Sequence, residues 1–226
     1  MKIKKVISAC LVLTCLVTGL SGCGKTDQVS DTAERSVIKI GSDSYPPYNY
    51  LNEDGVPTGI DVELATEAFG RMGYDVEIVN IDWEKKQELV ENGDIDCIMG
   101  CFSMKGRLDD YKWAGPYMVS NQVVAVNENS DIYTFLGKGY ADAIGAHEES
   151  VIQYMKDYDA KFRILDEPLM TVGIGVAFSK NETRDLPEKL EQTLDGMRED
   201  GTSAKIIGKY LDDPEKYLEV DQLEEE

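Results

Sequence analysis

The chain has little histidine and fewer cationic than anionic side chains. It contains one histidine, His147, and its 23 Lys and Arg residues are outnumbered by 43 Asp and Glu residues. The resulting net charge of −20 opposes binding to nucleic acid, which requires cationic side chains to neutralise phosphates. The composition therefore excludes a nucleic-acid-binding protein and indicates a solvated acidic surface.

Cysteine is also scarce. Of five cysteines, Cys97 and Cys101 alone fall in the part expected to fold, in a segment predicted to be a strand running into a loop. Extended chain rises about 3.3 Å per residue, which places their Cα atoms beyond the disulfide reach of about 7 Å. We expect two free thiols, with a bridge only if the chain folds back sharply. Two thiols do not make a metal site, so neither a metal nor a cofactor is expected.

A long apolar run occurs only at the N-terminus. Lysines near the start precede an apolar stretch from Val6 to about Leu20, shorter than the roughly 20 residues of a permanent membrane helix. This pattern is typical of a secretory signal peptide. The sequence Leu-Ser-Gly-Cys ending at Cys23 resembles the lipobox of bacterial lipoproteins, in which the cysteine is acylated and the chain is cut before it. The alternative is an ordinary secretory signal that ends near a cysteine.

The lipobox reading divides the N-terminus into two parts. Residues 1–22 are expected to be a signal peptide, and residues 23–36 a lipid-bearing Cys23 followed by a flexible polar tether. The mature protein is then expected on the extracytoplasmic face of the bacterial cell membrane, anchored by its lipid.

Alternating strand and helix signals follow the tether. Strands are predicted at 36–42, 76–81 and 95–99, with a helix from Ile60 to Gly70 or Gly73 and another at 83–91. This order is typical of a parallel α/β sheet. Further strands are predicted at 119–126, 141–145, 162–165 and 172–178, and further helices at 132–139, 148–158, 186–199 and 204–211.

Ligands of open α/β sheets bind at the C-terminal ends of the parallel strands, where two aromatic segments lie. After the first strand, Tyr45 and Tyr48 flank two prolines; they form either a stiff aromatic wall for a ligand or a structural turn. After the second strand, Trp83 either lines the cleft or belongs to the core.

The third strand leads into a loop with polar and cationic groups. Gly100 lets the backbone approach a ligand closely, Ser103 supplies a donor, and Arg107 offers a planar fork for a carboxylate. The alternative for Arg107 is a surface ion pair with Asp109 or Asp110.

These segments together resemble the family 3 solute-binding proteins of ABC importers, the polar amino-acid receptors with the type II periplasmic-binding-protein fold. The resemblance is carried, in order, by Ile40–Tyr50 with its Tyr-Pro-Pro-Tyr, Gly59–Leu64, Gly93–Gly100, the stretch from Gly100 through Arg107 to Tyr117, and Asp200–Tyr210. It implies a two-lobed α/β fold. Lobe one would comprise 37–126 and 172–226 with the C-terminal helices, and lobe two 127–171.

The resemblance also implies roles for individual residues. Arg107 would bind the ligand α-carboxylate, Tyr45 and Trp83 would wall the side-chain pocket, and the backbone at Gly100, with residue 102, would hydrogen-bond the ligand. Phe102, however, stands where the family usually has serine or threonine, which favours a more apolar ligand surface.

Lobe two departs further from the family pattern. His147 stands where an aspartate usually meets the ligand ammonium, and the neighbouring Glu148 is the candidate substitute. Roughly forty to fifty expected residues are missing near Ser130, among them a helix N-terminus that helps to hold the carboxylate. Lobe two is therefore predicted to be shortened.

Two functional hypotheses follow. The first is a lipid-anchored protein that captures a small amino-acid-like solute and delivers it to an ABC permease. The second is a degenerate relative that acts as a sensor or interaction module without transport-grade binding. An enzyme is not expected, because His147 and Glu148 are the one candidate acid–base pair and adjacent residues on a strand point opposite ways.

Overall fold

A computed structural model of the protein describes residues 35–127 and 143–223. The predicted signal peptide, Cys23 with most of its tether, and the helix predicted over 132–139 lie outside these ranges. The strands are β1 Val37–Ser42, β2 Tyr50–Leu51, β3 Pro57–Thr58, β4 Asp75–Asn80, β5 Cys97–Ile98, β6 Lys112–Asn127, β7 Ala143–His147, β8 Phe162–Ile164 and β9 Met170–Phe178. The α-helices are α1 Ile60–Arg71, α2 Lys86–Asn92, α3 Glu148–Tyr158, α4 Leu186–Glu199 and α5 Thr202–Ile207, with 3-10 turns at Trp83–Lys85, Pro214–Leu218 and Val220–Gln222.

The central sheet confirms the α/β fold class. Strand β1 pairs in parallel with both β4 and β5, as the alternating strand–helix pattern predicts. Strand β9 then runs antiparallel between β5 and β6, and the described strands follow the order β4-β1-β5-β9-β6-β7, with β8 also on β6. The C-terminal ends of β1 and β5 thus lie side by side.

The loop after β1 provides the cap of helix α1. The backbone N–H groups of Ile60 and Asp61 donate to the carbonyls of Pro47 and Tyr48, each at 3.0 Å, which satisfies two donors that a helix N-terminus leaves unpaired. Gly59 is required at this contact because its φ is 125° and a Cβ would lie 2.3 Å from the Tyr48 carbonyl oxygen.

Strand β6 is longer than the sequence predicts. The predicted strand starts at 119, whereas β6 begins at Lys112 and runs for 16 residues. Gly115-Pro116 reads as a break because proline cannot donate to a ladder. The structure absorbs it at an irregularity between Ala114 and Met118, where the register with β9 shifts.

Other predicted boundaries agree with the structure or differ from it by a few residues. Helices α3 and α4 coincide with their predicted limits. The predicted strand at 95–99 pairs only over Cys97–Ile98, and the helix predicted at 83–91 divides into a 3-10 turn and α2. The helix predicted at 204–211 begins and ends earlier, at Thr202 and Ile207.

Apolar side chains gather in separate clusters. The largest lies between the sheet and helices α1 and α4, and a second, aromatic cluster surrounds Phe102. A small third cluster joins the end of β6 to α3 and includes Val123, Val151 and Phe162. Cys97 and Cys101 are buried and free, which confirms the thiol prediction. In the described ranges, no helix is long and apolar enough to span a bilayer.

Candidate functional site

A pocket of about 290 Å³ opens at the C-terminal ends of β1 and β5. Its lining brings together most of the residues singled out from the sequence: Tyr45, Trp83, Gly100, Phe102, Ser103, Arg107 and His147. Asp43, Lys86, Cys101 and Gln122 complete it. The volume suits a solute of amino-acid size.

Tyr48 and Glu148, also proposed from the sequence, do not line this pocket. Tyr48 is fully buried, and its hydroxyl donates to the Glu149 carboxylate at 3.0 Å. Glu148 accepts a hydrogen bond from the Asn121 amide at 3.3 Å. Tyr48 therefore packs behind the residues that line the pocket and does not face a solute.

Aromatic rings form one wall of the pocket. Phe102 is 4% exposed and packs edge-on against Trp83, with ring centroids 5.3 Å apart. Its other neighbours are Tyr111 at 5.5 Å and Trp113 at 5.2 Å. Trp83 thus combines both roles considered for it: it lines the pocket and also packs against the aromatic cluster.

The guanidinium of Arg107 lies beside this wall, 5.5 Å from the centroid of Phe102. Its Nη1 donates two long hydrogen bonds of 3.3 Å, to the carbonyls of Ser103 and Lys105. Within residues 35–127 and 143–223, neither Asp109, nor Asp110, nor any other carboxylate forms an ion pair with the Arg107 guanidinium. The group therefore keeps donors for an incoming carboxylate.

The loop that carries Gly100 is held from below by helix α1. Cys101 has a φ of 51°, and its N–H donates to the Asp61 carboxylate at 2.7 Å. The Tyr117 hydroxyl donates to the other Asp61 oxygen at 2.8 Å. Burial raises the pKa of Asp61 from 3.8 to about 7, against these two hydrogen bonds, which lower it. At Gly100 a Cβ would lie 2.5 Å from Ser42 Oγ, so the loop sits directly against β1.

A second buried network lies under His147. The Ser120 hydroxyl donates to the Glu149 carboxylate at 2.7 Å. The hydroxyl oxygen of Ser120 also lies 2.8 Å from His147 Nδ1. A hydroxyl has one proton, so this arrangement places a proton on Nδ1 of the ring. Burial lowers the pKa of His147 to about 4 and raises that of Glu149. His147 is therefore neutral at pH 7.

Sequence reasoning missed Asp43, Lys86 and Gln122. Asp43 directly follows β1, and the strand-end rule that found Tyr45 could also have found it. Lys86 lies one helical turn after Trp83, and this spacing points to the pocket less directly than a position at a strand end does. Gln122 carried none, because the side of β6 that faces the pocket depends on pairing with distant strands.

A larger groove of about 1210 Å³ lies on another part of the surface, between residues 104–108, strands β6 and β9, and residues 216–223. It is broad and lacks the aromatic wall, so we place the candidate site in the smaller pocket. No group of three side chains able to hold a metal ion occurs among the described residues.

Comparison with known proteins identifies relatives in sequence and in fold. The arginine-binding extracellular protein ArtP of Bacillus subtilis (strain 168) is 24% identical over 143 residues, which cover 62% of this chain and 56% of ArtP; the match thus spans about half of that protein. The L-cystine-binding protein TcyA of the same organism is 23% identical over 261 residues, covering 92% of this chain and 97% of TcyA. An ancestral arginine-binding protein solved with arginine has a TM-score of 0.71 at 21% identity, covering 79% of this chain and 99% of that chain.

The match to a protein family covers most of the described domain. Residues 38–213 match the bacterial extracellular solute-binding proteins, family 3. This range includes β5, all of β1 except Val37, and every residue that lines the pocket. The chain belongs to the bacterial extracellular solute-binding proteins of family 3.

Proposed function

We propose that the protein captures a small amino-acid-like solute outside the cytoplasm and delivers it to the permease of an ABC importer. The observation that carries this proposal is the Arg107 guanidinium at a pocket of amino-acid size, which forms no ion pair with any carboxylate of the described residues. The relatives named for binding arginine and cystine support the class of solute. Binding without catalysis is the function inferred.

The lining residues have distinct roles in this proposal. Arg107 binds a carboxylate of the solute, and Tyr45 and Trp83 enclose its side chain. The Ser103 hydroxyl and the backbone at Gly100 supply further hydrogen bonds, while Phe102 replaces a polar contact with an apolar surface.

A two-lobed organisation with a reduced second lobe is part of the proposal. Lobe one would comprise 37–126 and 172–226, and lobe two 127–171. The separate cluster in which Val151 and Phe162 of lobe two pack with Val123 near the end of β6 supports a small second core. The match to TcyA runs over 261 positions, more than the 226 residues of this chain, which supports a loss of residues relative to that protein.

Lipid anchoring through Cys23 is also proposed, from the lipobox-like sequence that precedes it. Expression of the full chain in a bacterial host fed a radiolabelled palmitate should label the protein in the membrane fraction. Cys23→Ser should abolish the label; retention of label by that variant would contradict the anchor.

The solute-binding proposal is tested by a thermal-shift screen of the mature chain against the common amino acids. A true ligand raises the Tm because it binds only the native state. Arg107→Ala should abolish the shift. The control is Arg163→Ala, at an exposed residue of β8 that does not line the pocket, which should preserve the shift. No shift with any amino acid, or a shift unaffected by Arg107→Ala, would contradict the proposal.

A second candidate function is a sensor or interaction module derived from such a receptor. The neutral His147 at the position where the family usually presents an acid favours it, because a neutral imidazole is a poor partner for an ammonium. This candidate predicts that no solute binds through Arg107, so the same screen decides between the two.

A further inference from the structure

Two cations share one aromatic wall of the pocket. The Lys86 ammonium lies 5.8 Å from the centroid of Phe102 and 4.8 Å from that of Trp83. The Arg107 guanidinium lies 5.5 Å from the centroid of Phe102. Both residues line the same cavity of about 290 Å³, so a small solute can reach both at once.

The Lys86 ammonium has hydrogen-bonding capacity to spare. It donates one hydrogen bond, to the Trp83 carbonyl at 3.0 Å, and an ammonium has three donors. Over residues 35–127 and 143–223, it makes no ion pair with a carboxylate. The neighbouring Lys85 differs, because it pairs with Asp82 at 3.8 Å and does not line the pocket. Lys86 is thus a partly buried cation beside the Arg107 site that forms no direct ion pair within the described residues.

The other titratable lining groups complete the charge pattern. Asp43 is the one carboxylate among the residues that line the pocket. Burial raises the pKa of Asp43 above 3.8, against a backbone hydrogen bond and the nearby Lys86, which both lower it. His147 adds no charge at pH 7, because its pKa is lowered to about 4 by burial. The lining therefore presents two positive groups and one negative group.

We propose that the solute is a small acidic amino acid, with one carboxylate on Arg107, the second on Lys86 and the ammonium directed to Asp43. This inference rests on the proposed solute-binding function and names the class of its ligand. The two carboxylates and one ammonium of such a solute match the two cations and one anion of the lining, sign for sign.

The same pattern disfavours a basic amino acid. Its second cation would lie among Lys86 and Arg107, and the juxtaposition of like charges in a partly desolvated site lowers affinity. A neutral amino acid would leave the Lys86 ammonium without a partner as the pocket becomes desolvated. Both therefore bind more weakly than the acidic solute.

Calorimetric titration of the mature chain with L-glutamate, L-aspartate, L-glutamine and L-arginine tests this assignment. One or both acidic amino acids should bind at least about tenfold more tightly than L-glutamine, a difference of about 1.4 kcal/mol, and L-arginine should bind more weakly still. Tighter binding of L-glutamine or L-arginine would overturn the assignment and leave the solute-binding function intact. No binding of any of the four would overturn the assignment, and the solute-binding function would fail with it only if the wider amino-acid screen also gave no shift in Tm.

Lys86→Gln and Lys85→Gln separate a direct contact from a general change in charge. Lys86→Gln should weaken the acidic solute at least about tenfold while L-glutamine changes less than about twofold. Lys85→Gln, with the same charge change next door, should leave both affinities unchanged. Equal effects of the two variants, or an equal loss for both solutes in a Lys86→Gln protein of unchanged Tm, would overturn the role of Lys86.

Glutarate tests the ammonium contact, since it has two carboxylates and no amine. It should bind at least about tenfold more weakly than L-glutamate, since a charge-assisted hydrogen bond is lost. Equal or tighter binding of glutarate would overturn the amino-acid part of the assignment and identify a simple dicarboxylate as the solute.

Discussion

The carboxylate of Asp61, in the first turn of α1, accepts the backbone N–H of Cys101 at 2.7 Å. Both residues are buried, and Cys101 occupies a left-handed conformation that non-glycine residues rarely adopt. The contact fixes the loop between Gly100 and Ser103 at the rim of the pocket. A core carboxylate thus positions the backbone that is proposed to contact the solute.

The contribution of Asp61 to the free energy of unfolding should fall as the pH rises from about 4 to about 7. Its pKa is raised from 3.8 to about 7 in the folded protein, so over this interval the native state binds a proton that the unfolded state has lost. Asp61→Asn should remove this contribution, and the free energy of unfolding of the variant should decline less than that of the wild type. Urea unfolding across this range measures both curves.

The control for this prediction is Asp54→Asn, an exposed acid in the turn before β3. Its curve should parallel that of the wild type. Parallel curves for wild type and Asp61→Asn would instead mean that the buried acid titrates normally.

The contribution of His147 to the free energy of unfolding should change with pH in the opposite direction. Its pKa is lowered from 6.5 to about 4 in the folded protein, so the unfolded state binds a proton first and stability is lost as the pH falls from about 6.5 to about 4. In His147→Gln this loss should disappear. The stability of the variant relative to the wild type should therefore rise towards acid pH, as measured by thermal unfolding at several pH values. A constant difference would show that the ring is not buried as described.

Phe102 should be important for folding as well as for the pocket wall. Its ring is 4% exposed among Trp83, Tyr111 and Trp113, and truncation of a buried phenylalanine to alanine costs roughly 3–5 kcal/mol. Phe102→Ala should lower the free energy of unfolding by about that amount in a urea titration. Leu108→Ala, at a side chain that is 55% exposed, should change it by less than about 0.5 kcal/mol. Similar losses for the two variants would contradict the aromatic cluster.

The sequence predicts local elements well where one signal dominates. Helices α3 and α4 follow their apolar periodicity to the residue, and the strand–helix alternation predicts the parallel pairing of β1 with β4 and β5. The predicted strand starts at 119 instead of Lys112, because Pro116 reads as a break and the irregularity that accommodates it depends on pairing with β9.

The candidate site shows the same division. Tyr45, Trp83 and Arg107 could be found because they follow strands whose C-terminal ends meet at one edge. The buried bonds of Tyr48 and Ser120 with Glu149 could not, because they join residues from distant parts of the chain. The positive charge of Lys86 was visible, but its direction toward the pocket depends on the rotation of α2.

Occupation of the pocket by a solute can be observed at Trp83 itself. The chain has two tryptophans, so 5-fluorotryptophan labelling gives two ¹⁹F resonances, which Trp83→Phe assigns. Titration with L-glutamate should shift the Trp83 resonance saturably, and Arg107→Ala should abolish the shift. A Trp83 resonance that stays unchanged while calorimetry records binding, or that shifts equally in Arg107→Ala, would contradict the account.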